Sequence, residues 1–152
     1  MVPGLVSQKI ATAKLDVIGE MLGSIESLPL VSEDEFTRDP HMVAAGESYL
    51  RRALEALLDL GRHVLAKGFG LPVAEYAAIA DQLRAKGVVP SDLAARLKLM
   101  AGYRNRLVHE YDVITPGELY AILTERISEV IAVSNAIRKW LVDHPEQMDR
   151  SL

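Results

Sequence analysis

Apolar side chains recur every three or four residues along nearly the whole chain, and nowhere does the sequence alternate strictly between apolar and polar as a half-buried strand would. That periodicity predicts an all-α fold. Val6, Ile10, Ala13, Val17, Met21 and Ile25 share one face of a first helix, spanning roughly residues 5 to 28 and closed by Pro29. The acidic stretch from Leu30 to Pro40 reads as a turn-like connection. Asp39 suits an N-cap, with Pro40 in the first helical position. They open a second long helix, to about residue 67. Its apolar stripe is Val43, Leu50, Leu54, Leu57, Gly61 and Val64. Glu47, Arg51, Arg52, Glu55 and Arg62 fall on the other side and read as a solvated face.

Lys67 to Pro72 is a glycine- and proline-marked break. A short helix follows from about Ala74 to Ala85, ended by Gly87. Ser91 reads as the cap of the next helix, whose apolar side is Leu93, Leu97, Met100 and Leu107. Thr115, Pro116 and Glu118 spell a capping box that starts the last helix. Its stripe runs Tyr120, Leu123, Ile127, Val130, Ile131, Ser134 and Ile137, and Asp143-His144-Pro145 ends it. The expected architecture is one domain over residues 1–152, an antiparallel bundle of about five helices. Its core covers roughly residues 5–143, and a frayed tail covers 144–152. Gly46, Ala53 and Gly61 suit close helix contact between protomers.

Composition narrows the chemistry. The chain has no cysteine, which removes disulfide scaffolds, thiolate metal sites and cysteine nucleophiles. His41, His63, His109 and His144 are scattered, without the spacing of a metal-ligand set, so no metal and no cofactor is expected. His63 reads as a surface or carbonyl-capping residue, His41 as exposed, and His144 has no evident role. No apolar run approaches the ~18 residues that span a bilayer. The N-terminus lacks a basic region followed by a long apolar stretch. A cytoplasmic location without membrane attachment is the expectation. Aromatic content of 5% argues against a base-stacking platform. The net charge of −4 counts mildly against nucleic acid. Yet Ser91 to Tyr111 carries Arg96, Lys98, Arg104 and Arg106 against only Asp92 and Glu110, so this segment is locally basic.

The densest run of reactive side chains is Tyr103-Arg104-Asn105-Arg106-Leu107-Val108-His109-Glu110-Tyr111-Asp112. Arg104 offers a permanent cation with a planar fork suited to phosphate. His109 titrates near neutral pH. Were the stretch helical throughout, Asn105 and His109 would be adjacent on one face, and Arg104 and Tyr111 nearly aligned. Arg104 and His109 are about 140° apart around such a helix. They converge only through the length of arginine, a helix break or a second protomer. The set suits RNA transesterification, in which His109 moves a proton and Arg104 stabilises charge on the phosphorane. The bland alternatives are a histidine that caps helix carbonyls and an arginine that pairs with the helix dipole.

Arg104-x4-His109-x-Tyr111 resembles the R-x4-6-H-x-Y motif of HEPN domains, with Asn105 as the polar residue that follows the arginine there. Leu54 to His63, Phe69 to Pro72 with Tyr76, Gly87 to Pro90, and Met100 to Tyr111 together resemble HepT proteins over roughly residues 5 to 140. The resemblance implies a homodimeric HEPN-like bundle whose two motifs form a composite, metal-independent RNA-cutting site. It implies Arg104 and His109 as the catalytic pair and Asn105 as a positioning residue. It further implies a toxin whose antitoxin is an MntA-like minimal nucleotidyltransferase, with Tyr111 as the AMP-modified residue. Transfer RNA and messenger RNA are both open as substrates. Glu110 and Asp112, acidic beside the motif, would serve antitoxin contact. Two other readings stand beside this one. One is a non-catalytic HEPN partner that binds nucleotide or substrate for a nucleotidyltransferase. The other is a bundle that binds free nucleotides in a dimer cleft.

Overall fold

The computed structural model describes residues 4–109 and 111–151. Among them are seven α-helices: α1 (Gln8–Ser27), α2 (Glu33–Arg38), α3 (Pro40–His63), α4 (Tyr76–Ala85), α5 (Ser91–Val108), α6 (Pro116–Glu125) and α7 (Ile127–Asp143). The fold is the all-α bundle that the periodicity predicts, with more helices than expected. The expected turn after Leu30 contains α2. Ser32 caps it by accepting from the Glu35 N–H at 3.2 Å, and Glu33, Asp34 and Glu35 in its first turn complement the helix dipole. Phe36 carries α2 into the core, fully buried. The expected last helix is two helices, because the chain breaks at Arg126.

The cap signals hold unevenly. Asp39 accepts from the His41 and Met42 N–H groups, with Pro40 beginning α3. Ser91 is not a cap: Pro90 precedes the helix, and no side chain closes that end. Thr115 caps α6 by accepting from the Glu118 N–H at 3.2 Å. The Glu118 carboxylate does not return to the cap, because Arg106 holds it.

α3 is the central element and packs most extensively on α1. Leu50, Leu54, Leu57, Leu58 and Leu60 are all buried, as are the partner residues Ile18 and Ile25. In α1 the buried face is Ala11, Ile18, Met21 and Ile25, so the expected stripe is misplaced in its first half, where Ile10 is exposed. Gly46 and Gly61 admit neighbours of the same chain. A Cβ on Gly46 would lie 2.8 Å from Leu123 Cδ1, and one on Gly61 would lie 2.9 Å from Leu83 Cδ1. Ala53 is fully buried. These three small residues therefore serve packing inside the chain, where the sequence reading had placed protomer contacts.

α3 widens into a π-helical turn at Val64–Gly68. Gly70 then adopts φ 63°, where a side chain would be strained, and the Leu71 N–H donates back to the Leu65 carbonyl. Two segments far apart in sequence meet here. Val6–Ser7 pairs in parallel with Met148–Asp149, after a 3-10 turn at Pro145–Gln147. The tail expected to fray is thus anchored through residue 149. His144 stacks on Trp140 at 4.5 Å between ring centroids and contacts the Trp140 carbonyl through Nδ1. His63 also departs from the surface or carbonyl-capping role expected of it: its Nε2 accepts the Ser7 N–H at 3.0 Å. His41 is exposed, as expected.

Candidate active site

Arg51, Glu55, Asp59 and Arg62 succeed one another at i, i+4, i+8 and i+11 along one face of α3. α5 brings Arg104 onto that face. The Arg104 Nη2 lies 3.3 Å from Glu55 Oε2, and Arg51 Nη1 lies 2.7 Å from the other oxygen, Oε1. Tyr76, in the first turn of α4, completes the cluster. Its hydroxyl donates to Asp59 Oδ1 at 2.7 Å. Two guanidiniums lean on its ring, Arg62 at 4.6 Å and Arg104 at 4.7 Å from the centroid. Arg62 also donates to the Ala74 carbonyl at 2.9 Å and approaches Asp59 at 3.5 Å. Burial, then the hydrogen bond to Asp59, pushes the Tyr76 phenol up to about 12. It remains a neutral hydroxyl through the physiological range. An open pocket of about 410 Å³ lies beside this cluster, lined by Arg62, Ala74, Glu75, Tyr76, Ala77, Arg104 and Asn105.

Helix α5 stops at Val108. His109 has left the helix at φ −98° and ψ 142°, and its N–H donates to the Asn105 carbonyl at 3.1 Å. Its side chain is exposed, and Tyr111 is 99% exposed. Beyond it, Ile114 is buried and Asp112 pairs with Arg106 Nε at 3.3 Å, which fastens the segment between α5 and α6. Glu110 lies outside the described residues.

Residues 18–137 match the family model described as "Ribonuclease HepT-like". The chain belongs to the ribonuclease HepT-like family. A curated relative, the tRNA nuclease HepT of Aphanizomenon flos-aquae, is 25% identical over 141 residues, covering 92% of this chain and 95% of the relative. Two solved structures share the fold, each with a TM-score of 0.78. One is the tri-AMPylated Shewanella oneidensis HEPN toxin in complex with MNT antitoxin, 18% identical, covering 86% of this chain and 97% of that one. The other is the cytosolic protein YutE of Bacillus subtilis, 21% identical, covering 94% of each chain.

In this HepT-like chain, Arg104 and Asn105 line the pocket together, and Arg104 Nη1 contacts Asn105 Oδ1 at 3.4 Å. His109 follows the end of the same helix, on exposed chain. The helical alignments of Asn105 with His109 and of Arg104 with Tyr111 do not form, because the helix ends between the members of each pair. The locally basic segment is largely neutralised. Arg96 pairs with Glu129, Lys98 with Asp81, and Arg106 with Glu118. Sequence reasoning left Arg51, Glu55 and Arg62 on a solvated face and placed Asp59 and Tyr76 only in segments resembling HepT proteins, without a role in the site. The available signal was the recurrence of charged residues every three or four positions on α3, two carboxylates flanked by two arginines. Among the described residues, no group of three or more His, Cys, Asp or Glu side chains is placed to hold a metal ion, and no helix is long and apolar enough to cross a membrane.

Proposed function

We propose that this chain is an endoribonuclease toxin that cuts RNA without a metal ion, working as a homodimer of one-domain protomers. The observation that carries the reading is the placement of Arg104. The side chain is three-quarters buried, held by Glu55 and Tyr76 at an open pocket, while His109 stands exposed just past the end of the same helix. A fixed cation and an accessible imidazole are the two groups that RNA transesterification requires. The ribose 2′-oxygen attacks its neighbouring phosphorus and loses its proton to a base. The P–O5′ bond breaks, and the departing oxygen takes up a proton. The products are a 2′,3′-cyclic phosphate and a 5′-hydroxyl. His109 moves a proton, Arg104 neutralises the phosphorane, and Asn105 positions Arg104 or the substrate. A composite site, with α5 ends of two protomers facing one cleft, brings Arg104 of one copy near His109 of the other.

The family match supports the nuclease class, and the relative named as a tRNA nuclease favours transfer RNA as substrate. The partner is an MntA-like nucleotidyltransferase antitoxin. Tyr111 is its target, since a fully exposed phenol is free to attack a nucleoside triphosphate and release pyrophosphate. The AMP so added would place a phosphate anion beside the cleft, where it repels the RNA backbone and competes for Arg104.

The test is induced expression of the chain alone beside His109→Ala at equal level, following growth and total RNA. Growth arrest with new RNA fragments only in the parent is the expected result. Normal growth and intact RNA from soluble parent protein would overturn the reading in favour of a non-catalytic binding partner.

A further inference from the structure

Arg62 belongs to α3, outside the R-x4-H-x-Y segment, yet it shares the Tyr76 ring and the pocket with Arg104. We propose that this pocket seats a second phosphodiester of single-stranded RNA, flanking the one that is cut, with Arg62 as its cation. The inference rests on the ribonuclease reading for its substrate and extends it to a residue outside the motif.

Bond lengths show which cations are already committed. Arg106 closes two short hydrogen bonds on Glu118, at 2.6 and 2.7 Å. Arg62 and Arg104 have only long contacts with carboxylates, at 3.5 Å to Asp59 and 3.3 Å to Glu55. Both carboxylates are engaged more closely elsewhere, Asp59 by the Tyr76 hydroxyl at 2.7 Å and Glu55 by Arg51 at 2.7 Å. A guanidinium offers five donors in a fork that matches phosphate, and contacts beyond about 3.2 Å use that capacity poorly. The Nε of all three arginines, Arg62, Arg104 and Arg106, is buried without a hydrogen-bond partner, so the contrast lies in the terminal nitrogens, of which Arg62 commits one, to the Ala74 carbonyl at 2.9 Å.

Local charge favours an anion. Lys14, Arg51, Arg62 and Arg104 face Glu55 and Asp59 within the cluster, with Glu75 on the rim. Four cations against three carboxylates leave a positive excess in a chain of net charge −4. Tyr76 stays a neutral phenol and adds no negative charge to the floor.

Size and shape select the class of ligand. The volume of about 410 Å³ falls in the range of small-molecule sites, roughly 300–1,000 Å³, and suits a nucleotide unit in a concave seat. A single strand can lower one phosphate into such a recess, which an intact duplex backbone, laid over a surface, does not do. The guanidiniums over the Tyr76 ring offer planar faces on which an adjacent base can stack.

The experiment measures binding of a fluorescent, non-cleavable 2′-O-methyl RNA hexamer to the full chain, to Arg62→Ala and to Arg62→Lys at several salt concentrations. Circular dichroism checks that each variant is folded. Loss of one charge-assisted phosphate contact should weaken binding by about tenfold for Arg62→Ala. It should also reduce the slope of log K against log salt by about 0.7, the value for one phosphate on a single strand. Arg62→Lys should keep the parental slope and recover part of the affinity. Unchanged affinity overturns the inference, and so does absence of binding by the parent. Weaker binding with an unchanged slope also overturns it, because the loss is then structural, transmitted through Tyr76. The unmodified hexamer, incubated with the same parent protein, reads the ribonuclease proposal separately. Arg62-dependent binding without cleavage of either the hexamer or transfer RNA would sink that proposal and leave the phosphate seat standing.

Discussion

Arg106 on α5 closes two hydrogen bonds on Glu118 of α6, 2.6 Å from Nη1 to Oε2 and 2.7 Å from Nη2 to Oε1. With its Nε 3.3 Å from Asp112, the same guanidinium holds the chain between the two helices, from which His109 and Tyr111 are exposed.

Glu118→Gln should loosen that segment while leaving the fold intact. The Thr115 cap survives, since it uses the backbone N–H of residue 118. Amide exchange at Asp112, Val113 and Ile114 should quicken, with exchange in α3 unchanged. Equal exchange in both proteins would show that the clamp does not hold the loop. The hydrogen bonds from Arg106 keep the Glu118 carboxyl below its ordinary value of 4.5. The clamp is therefore complete above that value and is lost as pH falls through the lower folded value.

His63 should make stability depend on pH near neutrality. Burial, then the Lys67 and Lys14 charges, lower its pKa below 6.5. Its Nε2 must be unprotonated to accept the Ser7 N–H. A group whose folded pKa is lowered contributes stability above the unfolded value and loses it as pH falls through the folded one. The thermal midpoint should therefore drop between pH 7.5 and pH 5.5. Because a glutamine oxygen can accept the same N–H without titrating, His63→Gln should drop less. Identical drops would assign the effect to other groups.

Gly61 and Gly23 make an opposed pair. At Gly61 a Cβ would meet Leu83 Cδ1 at 2.9 Å and Ile79 Cγ2 at 3.0 Å, whereas at Gly23 it meets nothing within 4 Å. Overpacking costs roughly 1–3 kcal/mol, against a helix-propensity gain of about 1 kcal/mol for alanine over glycine. Gly61→Ala should be destabilising by up to about 2 kcal/mol on that balance, and Gly23→Ala stabilising by about 0.5–1 kcal/mol. Chemical denaturation reads both, and a stabilised Gly61→Ala would show that α4 yields freely.

Arg104→Ala should lower single-turnover RNA cleavage by about 10²–10³-fold, the scale for removing a preorganised charge-stabilising donor. An unchanged rate would remove Arg104 from the chemistry.

Tyr111→Phe should cleave RNA at close to the parental rate, since the exposed hydroxyl has no part in the proposed proton transfers. Mass spectrometry after incubation with the cognate nucleotidyltransferase and ATP should find no AMP at position 111. Normal modification of the variant would locate the target elsewhere.

The sequence alone determined the helical class, the longer helices and their stronger stops, though not α2 or the break at Arg126. Periodicity, Pro29, Asp39-Pro40, Gly87 and Thr115-Pro116 act over a few residues, within the reach of a single turn. It also carried the motif, because Arg104 to Tyr111 lies within one stretch of chain. Tertiary structure decided the surroundings of Arg104. Glu55 is 49 residues away, and the Tyr76–Asp59 bond joins positions 17 apart. No local rule distinguishes a charged helix face that meets solvent from one that meets another helix. The same reason hid the pairing of Val6–Ser7 with Met148–Asp149, the His63 contact and the inward use of Gly46 and Gly61. Each depends on two segments arriving at one place, which the packing of α1, α3 and α5 fixes and spacing along the chain does not record.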